Sequence, residues 1–167
     1  MESRAKLFGH AIHPTLIVFP LGLFTAAVIF DLIRIFGGSG AWGEAAFYDI
    51  AVGVVGGLLA AVFGFIDWLG LPAKTRAKSV GLWHGIGNFA IVVLFIISWL
   101  LRLPDPKAPS ALAFILALVG VLLALVTGWL GGELVERLRV GVDDGAHVDA
   151  QSSLSGPAER KRREAAG

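Results

Sequence analysis

The 167-residue chain has no cysteine, one methionine and one tyrosine, and only 16% of its residues are charged. Without cysteine there is no disulfide, thiolate metal site, iron–sulfur cluster or covalently attached haem. Soluble domains carry about 25% charged residues, so this chain lacks the polar surface to coat itself in water. Its 22 glycines follow no three-residue period, which excludes a collagen-like chain, and an apolar content of 56% excludes a disordered one. No nucleophile stands beside a base as hydrolysis would need. The glycines lie inside apolar runs rather than in phosphate-cradling loops, and nucleic acid is not an expected partner.

Long hydrophobic runs are what the chain has instead, with a mean hydropathy of +0.76. A helix needs about 20 mostly apolar residues to cross the hydrocarbon of a bilayer. Four windows qualify: 14–36, 48–71, 81–101 and 110–131. They are separated by the breaks GGSGAWGE, LPAKTRAKS and RLPDPKAPS. Short connections make consecutive helices antiparallel. The predicted fold is therefore all-α: an integral membrane up-down-up-down four-helix bundle over residues 1–140, in contact with the lipid bilayer. Residues 141–167 are polar and predicted to form a disordered tail. All five tryptophans (Trp42, Trp68, Trp83, Trp99 and Trp129) fall near predicted span ends, where indole rings prefer to sit.

Lys and Arg distribute 11 to 3 between the two sides, the majority with the chain termini. That bias predicts a multi-pass protein of the inner, cytoplasmic membrane with both termini cytoplasmic. No cleavable signal is expected, because the first span is longer than a signal h-region. Small residues at four-residue spacing (Gly56, Ala60, Gly64; Gly120, Ala124, Gly128) predict close helix packing. Pro20 is expected to kink the first span. An internal echo, FIDWLG with VTGWLGG and His13 with His84, points to two related hairpins about an axis normal to the membrane.

Ionisable groups inside a membrane are costly and mark interiors or partners. The first span opens with His10 and His13, the second carries Asp67 one turn before its end, and the third carries His84 with Asn88 one turn deeper. The fourth ends at Thr127 and Glu133. Alternating helix direction gathers these residues into one layer near the cytoplasmic face, with Asp67 and His84 roughly 6 Å inside their span ends at about 1.5 Å per residue. Asp67 could instead pair with Lys74 or Arg76. On the other side Asp31, Arg34, Asp49 and Arg102 read as snorkelling or mutually paired charges with no chemistry assigned.

The stretches HPTLIVFPLG, FIDWLG, HGIGNFAIVVLF and GWLGGELVERLRVGV recur in order from His13 to Val142, across all four spans. In these the chain resembles the bacterial membrane proteins filed as domain of unknown function 2231. The resemblance implies a four-helix membrane domain that some relatives join to a Rieske-type iron–sulfur domain. It places the family's His-Pro on His13 and Pro14, its Asp-Trp on Asp67 and Trp68, and its His-x-x-x-Asn on His84 and Asn88. Glu136 stands where the family usually has tyrosine.

Two readings of the polar layer follow. In the first it is a redox module: haem b held by His13 and His84, with Asn88 beside it, or a non-haem metal held by His10, His13, Asp67 and His84. An iron–sulfur or other redox protein would be its partner. In the second the layer only clasps the helices of a structural or partner-binding subunit, and the glycines serve helix association or a homo-oligomer. A proton or solute path through Asp67 and His84 finds no polar continuation across the third or fourth span.

Overall fold

The computed structural model describes residues 1–155. Four helices long and apolar enough to cross a membrane dominate it: α1 (Ile12–Ile35), α2 (Gly40–Gly70), α3 (Arg76–Arg102) and α4 (Ala111–Gly132, continued by the π-turn Glu133–Arg137). Backbone groups facing lipid must be satisfied within the chain, and helices do this locally. Pro20 lacks the N–H that would reach the Leu16 carbonyl, and α1 is interrupted one turn earlier, at Ile17. Thr75 and Ser110 cap α3 and α4, their hydroxyls accepting from the N–H of Lys78 and Ala113.

The helices run longer than the apolar windows. α2 starts at Gly40, well before Tyr48, because Gly43 belongs to the helix rather than to a turn. A Cβ at Gly43 would lie 2.8 Å from the Pro106 carbonyl and 2.9 Å from that of Lys107, so glycine lets the α3–α4 connection pack on the helix backbone. Before α1, the strands β1 (Lys6–Leu7) and β2 (His10–Ala11) form a small hairpin. Its turn residues Phe8 and Gly9 both have positive φ, as the two-residue type I′ turn requires.

Helix α1 packs along α2, and α3 along α4; the two hairpins meet through α2 with α3 and α1 with α4. The diagonal helices α1 and α3 touch across the centre through three pairs of side chains: His13 with His84, Phe24 with Phe95, and Asp31 with Arg102. Each pair is related by the same shift of 71 positions. Between α2 and α4 the shift is 67: Phe24 lies on Gly53 as Phe95 lies on Gly120, and His13 on Gly64 as His84 on Gly131. Both rings of the central pair are buried and stacked, centroids 3.8 Å apart. The hairpins are thus related by a pseudo-two-fold along the bundle.

The register differs from the one the sequence echo implied. Matching Trp68 to Trp129 needs a shift of 61, whereas the contacts place position 68 against 135. The two Trp-Leu-Gly triplets are not equivalent. Trp99, three residues before the end of α3, stacks on Phe47 with its Nε1 buried and without a partner.

Candidate functional site: the paired histidines

His13 occupies the first turn of α1, and its Nδ1 lies 2.8 Å from the Ala60 carbonyl of α2. His84, in the third turn of α3, places Nδ1 2.9 Å from the Thr127 carbonyl of α4. A carbonyl oxygen only accepts, so Nδ1 carries the proton in both rings and the neutral tautomer keeps its lone pair on Nε2. The two bonds are pseudo-symmetric, since Ala60 and Thr127 are equivalent positions. So are the glycines beneath the rings. A Cβ at Gly64 would lie 2.9 Å from the His13 ring, and one at Gly131 would lie 3.2 Å from the His84 ring. Bare backbone at these two places is what lets each imidazole lie against its neighbouring helix.

The two rings are 6.2 Å apart, centroid to centroid, with planes at 86°. They come from helices that enter at the same end of the bundle, as alternation of helix direction requires. Around His84 a polar cluster closes. The Asn88 amide donates to His84 Nε2 at 3.1 Å and to the His84 carbonyl at 2.8 Å, while its Oδ1 accepts from the Thr127 hydroxyl at 3.3 Å. His13 has no counterpart to Asn88, because the position 71 residues earlier is Ile17.

The remaining residues of the expected layer are placed elsewhere. Asp67 faces the N-terminal segment and accepts from the Ser3 hydroxyl at 2.8 Å and from the backbone N–H of Arg4 (2.7 Å) and Ala5 (3.3 Å). It pairs with neither Lys74 nor Arg76. Arg76 instead meets Glu133 at 2.6 Å, and Lys78 lies over the Trp68 ring. His10 is exposed and reaches the Phe8 carbonyl and Ser153. Among the described residues no three His, Cys, Asp or Glu side chains converge as a metal site. The structure therefore brings together His13 and His84 with Asn88, and separates Asp67 and His10 from them.

The first residues of the chain and the stretch that follows α4 cover this end. Met1 donates to the Arg139 carbonyl and accepts from the Gly141 N–H, and Glu2 accepts from Lys6 and from the Asp144 N–H. Those contacts involve the first residues of the tail expected to be disordered; residues 156–167 of that tail lie outside the described residues.

At the opposite end Asp31 and Arg102 do not snorkel. Both are essentially inaccessible, joined by two bonds of 2.8 and 2.6 Å, and Arg102 Nε donates to Ser98, whose hydroxyl donates to the Ala113 carbonyl. Pairing was legible from opposite signs at neighbouring helix ends. Which aspartate meets which arginine follows from the shift of 71.

No curated protein and no solved structure matches the chain. A family model described as "Predicted membrane protein (DUF2231)" matches residues 9–144, which takes in all four helices and both histidines of the pair. On that match, and on the four apolar helices, the chain belongs to the DUF2231 family of membrane proteins.

Proposed function

We propose that this protein is a membrane electron-transfer subunit that holds haem b between His13 and His84. The observation that carries the reading is the pair itself. Two imidazoles, each fixed by an Nδ1–H bond to a backbone carbonyl, stand 6.2 Å apart. At metal–nitrogen distances of about 2 Å, two imidazoles facing each other across one metal have centroids roughly 6 Å apart. The Nδ1 bonds supply the orientation and the basicity that ligating histidines draw from their outer partners. Haem would supply nitrogens of its own to the iron, so His13 and His84 would be the only protein ligands required. A bare ion would want three or four protein ligands, and only two histidines meet here. That favours haem over the non-haem alternative. Asn88 would release His84 Nε2 on loading, at the loss of one hydrogen bond, about 1 kcal/mol. The excess of Lys and Arg at this end supports a cytoplasmic face for it, and the resemblance to relatives carrying Rieske domains supports an iron–sulfur redox partner.

A second reading has its own support. The Asn88 bond to His84 Nε2 satisfies that ring inside the protein, as a helix clasp without any cofactor would. One preparation distinguishes them. The protein, expressed with haem supply and purified in mild detergent, is expected to show a Soret band that shifts on reduction, with one haem per chain. His13→Ala and His84→Ala should each abolish six-coordinate spectra, while Asn88→Ala keeps them. A colourless preparation that takes up no added haem, and that loses thermal stability in Asn88→Ala, sinks the haem reading and leaves the clasp.

A further inference from the structure

The three cross-axis pairs are not alike. Each joins residues at equivalent positions of the two hairpins, and two of them join identical side chains: His13 with His84 and Phe24 with Phe95. Phe24 and Phe95 rest on the equivalent glycines Gly53 and Gly120, and Ala46 and Ala113, also equivalent, are both fully buried. At these positions the inner faces of the two hairpins match, while Val28 stands where the second hairpin has Trp99 and Ile50 where it has Ala117. Such a face can be satisfied by the other hairpin or by a second copy of itself, on another molecule. Of the three cross-axis pairs, only the third joins unlike side chains, and it is the one that carries charge. Asp31 and Arg102 are fully buried and joined by two bonds, with Ser98 supporting the arginine where its equivalent on α1 is Ala27.

From this we infer that the Asp31–Arg102 pair is a partner lock: it admits hairpin one against hairpin two and rejects like hairpins of two copies. Two first hairpins face to face would bury Asp31 against Asp31, and two second hairpins Arg102 against Arg102. Like charges held together without water are strongly unfavourable, which is how a single polar position selects pairings that apolar packing leaves degenerate. The pair's role is then choice of partner. A buried ion pair replaced at both ends by apolar groups often leaves stability unchanged or raised.

The test uses full-length chains carrying two different affinity tags, co-expressed and recovered through one tag. Asp31→Leu with Arg102→Leu in the same chain keeps the apolar packing and removes the discrimination. Recovery of the second tag is expected to rise at least about threefold over the unsubstituted protein, by exchange of like hairpins. Asp31→Arg in one chain and Arg102→Asp in the other give two species, neither of which can form an Asp–Arg pair within itself. Each is expected to recover the other when co-expressed, because hairpin exchange restores two opposite-charge pairs. Unchanged recovery for the doubly apolar chain, at unchanged thermal stability, overturns the inference. If that chain does not fold, failure of the two charge-reversed chains to recover each other overturns it instead.

Discussion

Adding a methyl group at Gly64 and at Gly131 is the same chemical change at equivalent places, and the structure assigns it unequal consequences. At Gly64 the new Cβ would lie 2.9 Å from both Cε1 and Nδ1 of His13. Non-bonded carbon atoms rest at about 3.5–4.0 Å, so the ring must retreat by roughly 0.6 Å or more. That movement draws Nδ1 off the Ala60 carbonyl, now 2.8 Å away, forfeiting a bond worth about 1 kcal/mol. Overpacking adds about 1–3 kcal/mol. At Gly131 the Cβ would lie 3.2 Å from Cε1 and 3.6 Å from Nδ1 of His84. A shift of a few tenths of an ångström suffices, and the Thr127 bond survives. The better helix propensity of alanine counts for little, since the helices persist in the bilayer whether or not they are packed. Gly64→Ala should therefore lose about 2–4 kcal/mol and Gly131→Ala at most about 1. Gly128→Ala, where nothing lies within 4 Å, is the neutral control. Reversible unfolding in mixed detergent micelles, followed by tryptophan fluorescence, measures all three. Equal losses at Gly64 and Gly131, or the larger loss at Gly131, would refute the assignment of these glycines as cradles for the two rings.

Asp67→Asn places an amide against the Arg4 and Ala5 N–H donors that the carboxylate now accepts from. The N-terminal segment should come free, and limited trypsin digestion should cut after Arg4 or Lys6 several-fold faster, with the helices intact by circular dichroism. An unchanged digestion rate would show that other contacts hold the segment. Acid should free it too. The Lys6 ammonium, and after it the Asp144 N–H, hold the exposed Glu2 carboxyl below the usual glutamate range. A lowered folded value means that the contribution is present above the unfolded pKa and fades as pH falls through the folded one. Trypsin acts poorly in acid, so pepsin cleavage near the N-terminus between pH 5 and 3 reads this out. Glu2→Gln should lessen that pH dependence without abolishing it, because the Asp67 carboxylate also holds the segment, and a dependence as steep as in the unsubstituted chain counts against it.

Much of this architecture could be read from residue types. Windows of apolar residues long enough to cross a bilayer, with short breaks between them, leave little choice beyond four antiparallel helices. The meeting of His13 and His84 follows from helix direction and from their places near the starts of two parallel spans. Other features had no local signature. Gly43 looked like part of a break because a glycine that admits a packed loop and one that ends a helix read alike. The partners of Asp67 are mostly backbone amides, which every residue carries, so nothing in the side-chain pattern singled out Ser3, Arg4 and Ala5. The bond of each histidine to a carbonyl one turn before a glycine could have been found, had the Gly64–Gly131 correspondence been preferred to the match between the two Trp-Leu-Gly triplets.

The contrast between the ends of the pseudo-two-fold has a physical logic. Where two hairpins present identical groups across an axis, those groups must be neutral or share something between them, since identical charges would repel. The histidines each commit an Nδ1 proton to a carbonyl, that of Ala60 or of Thr127, so neither directs that donor at the other. Where the groups are opposite, as at Asp31 and Arg102, the arrangement suits no symmetric occupant, and the two bonds between them consume the groups that a ligand would use. The proposed function therefore rests on the histidine end and the proposed choice of partner on the ion-pair end. Haem loading and hairpin choice should accordingly separate by mutation. Asp31→Leu with Arg102→Leu should leave the Soret spectrum unchanged, and His84→Ala should leave tag recovery unchanged; a chain in which either substitution moves both readouts would show that the two ends act as one.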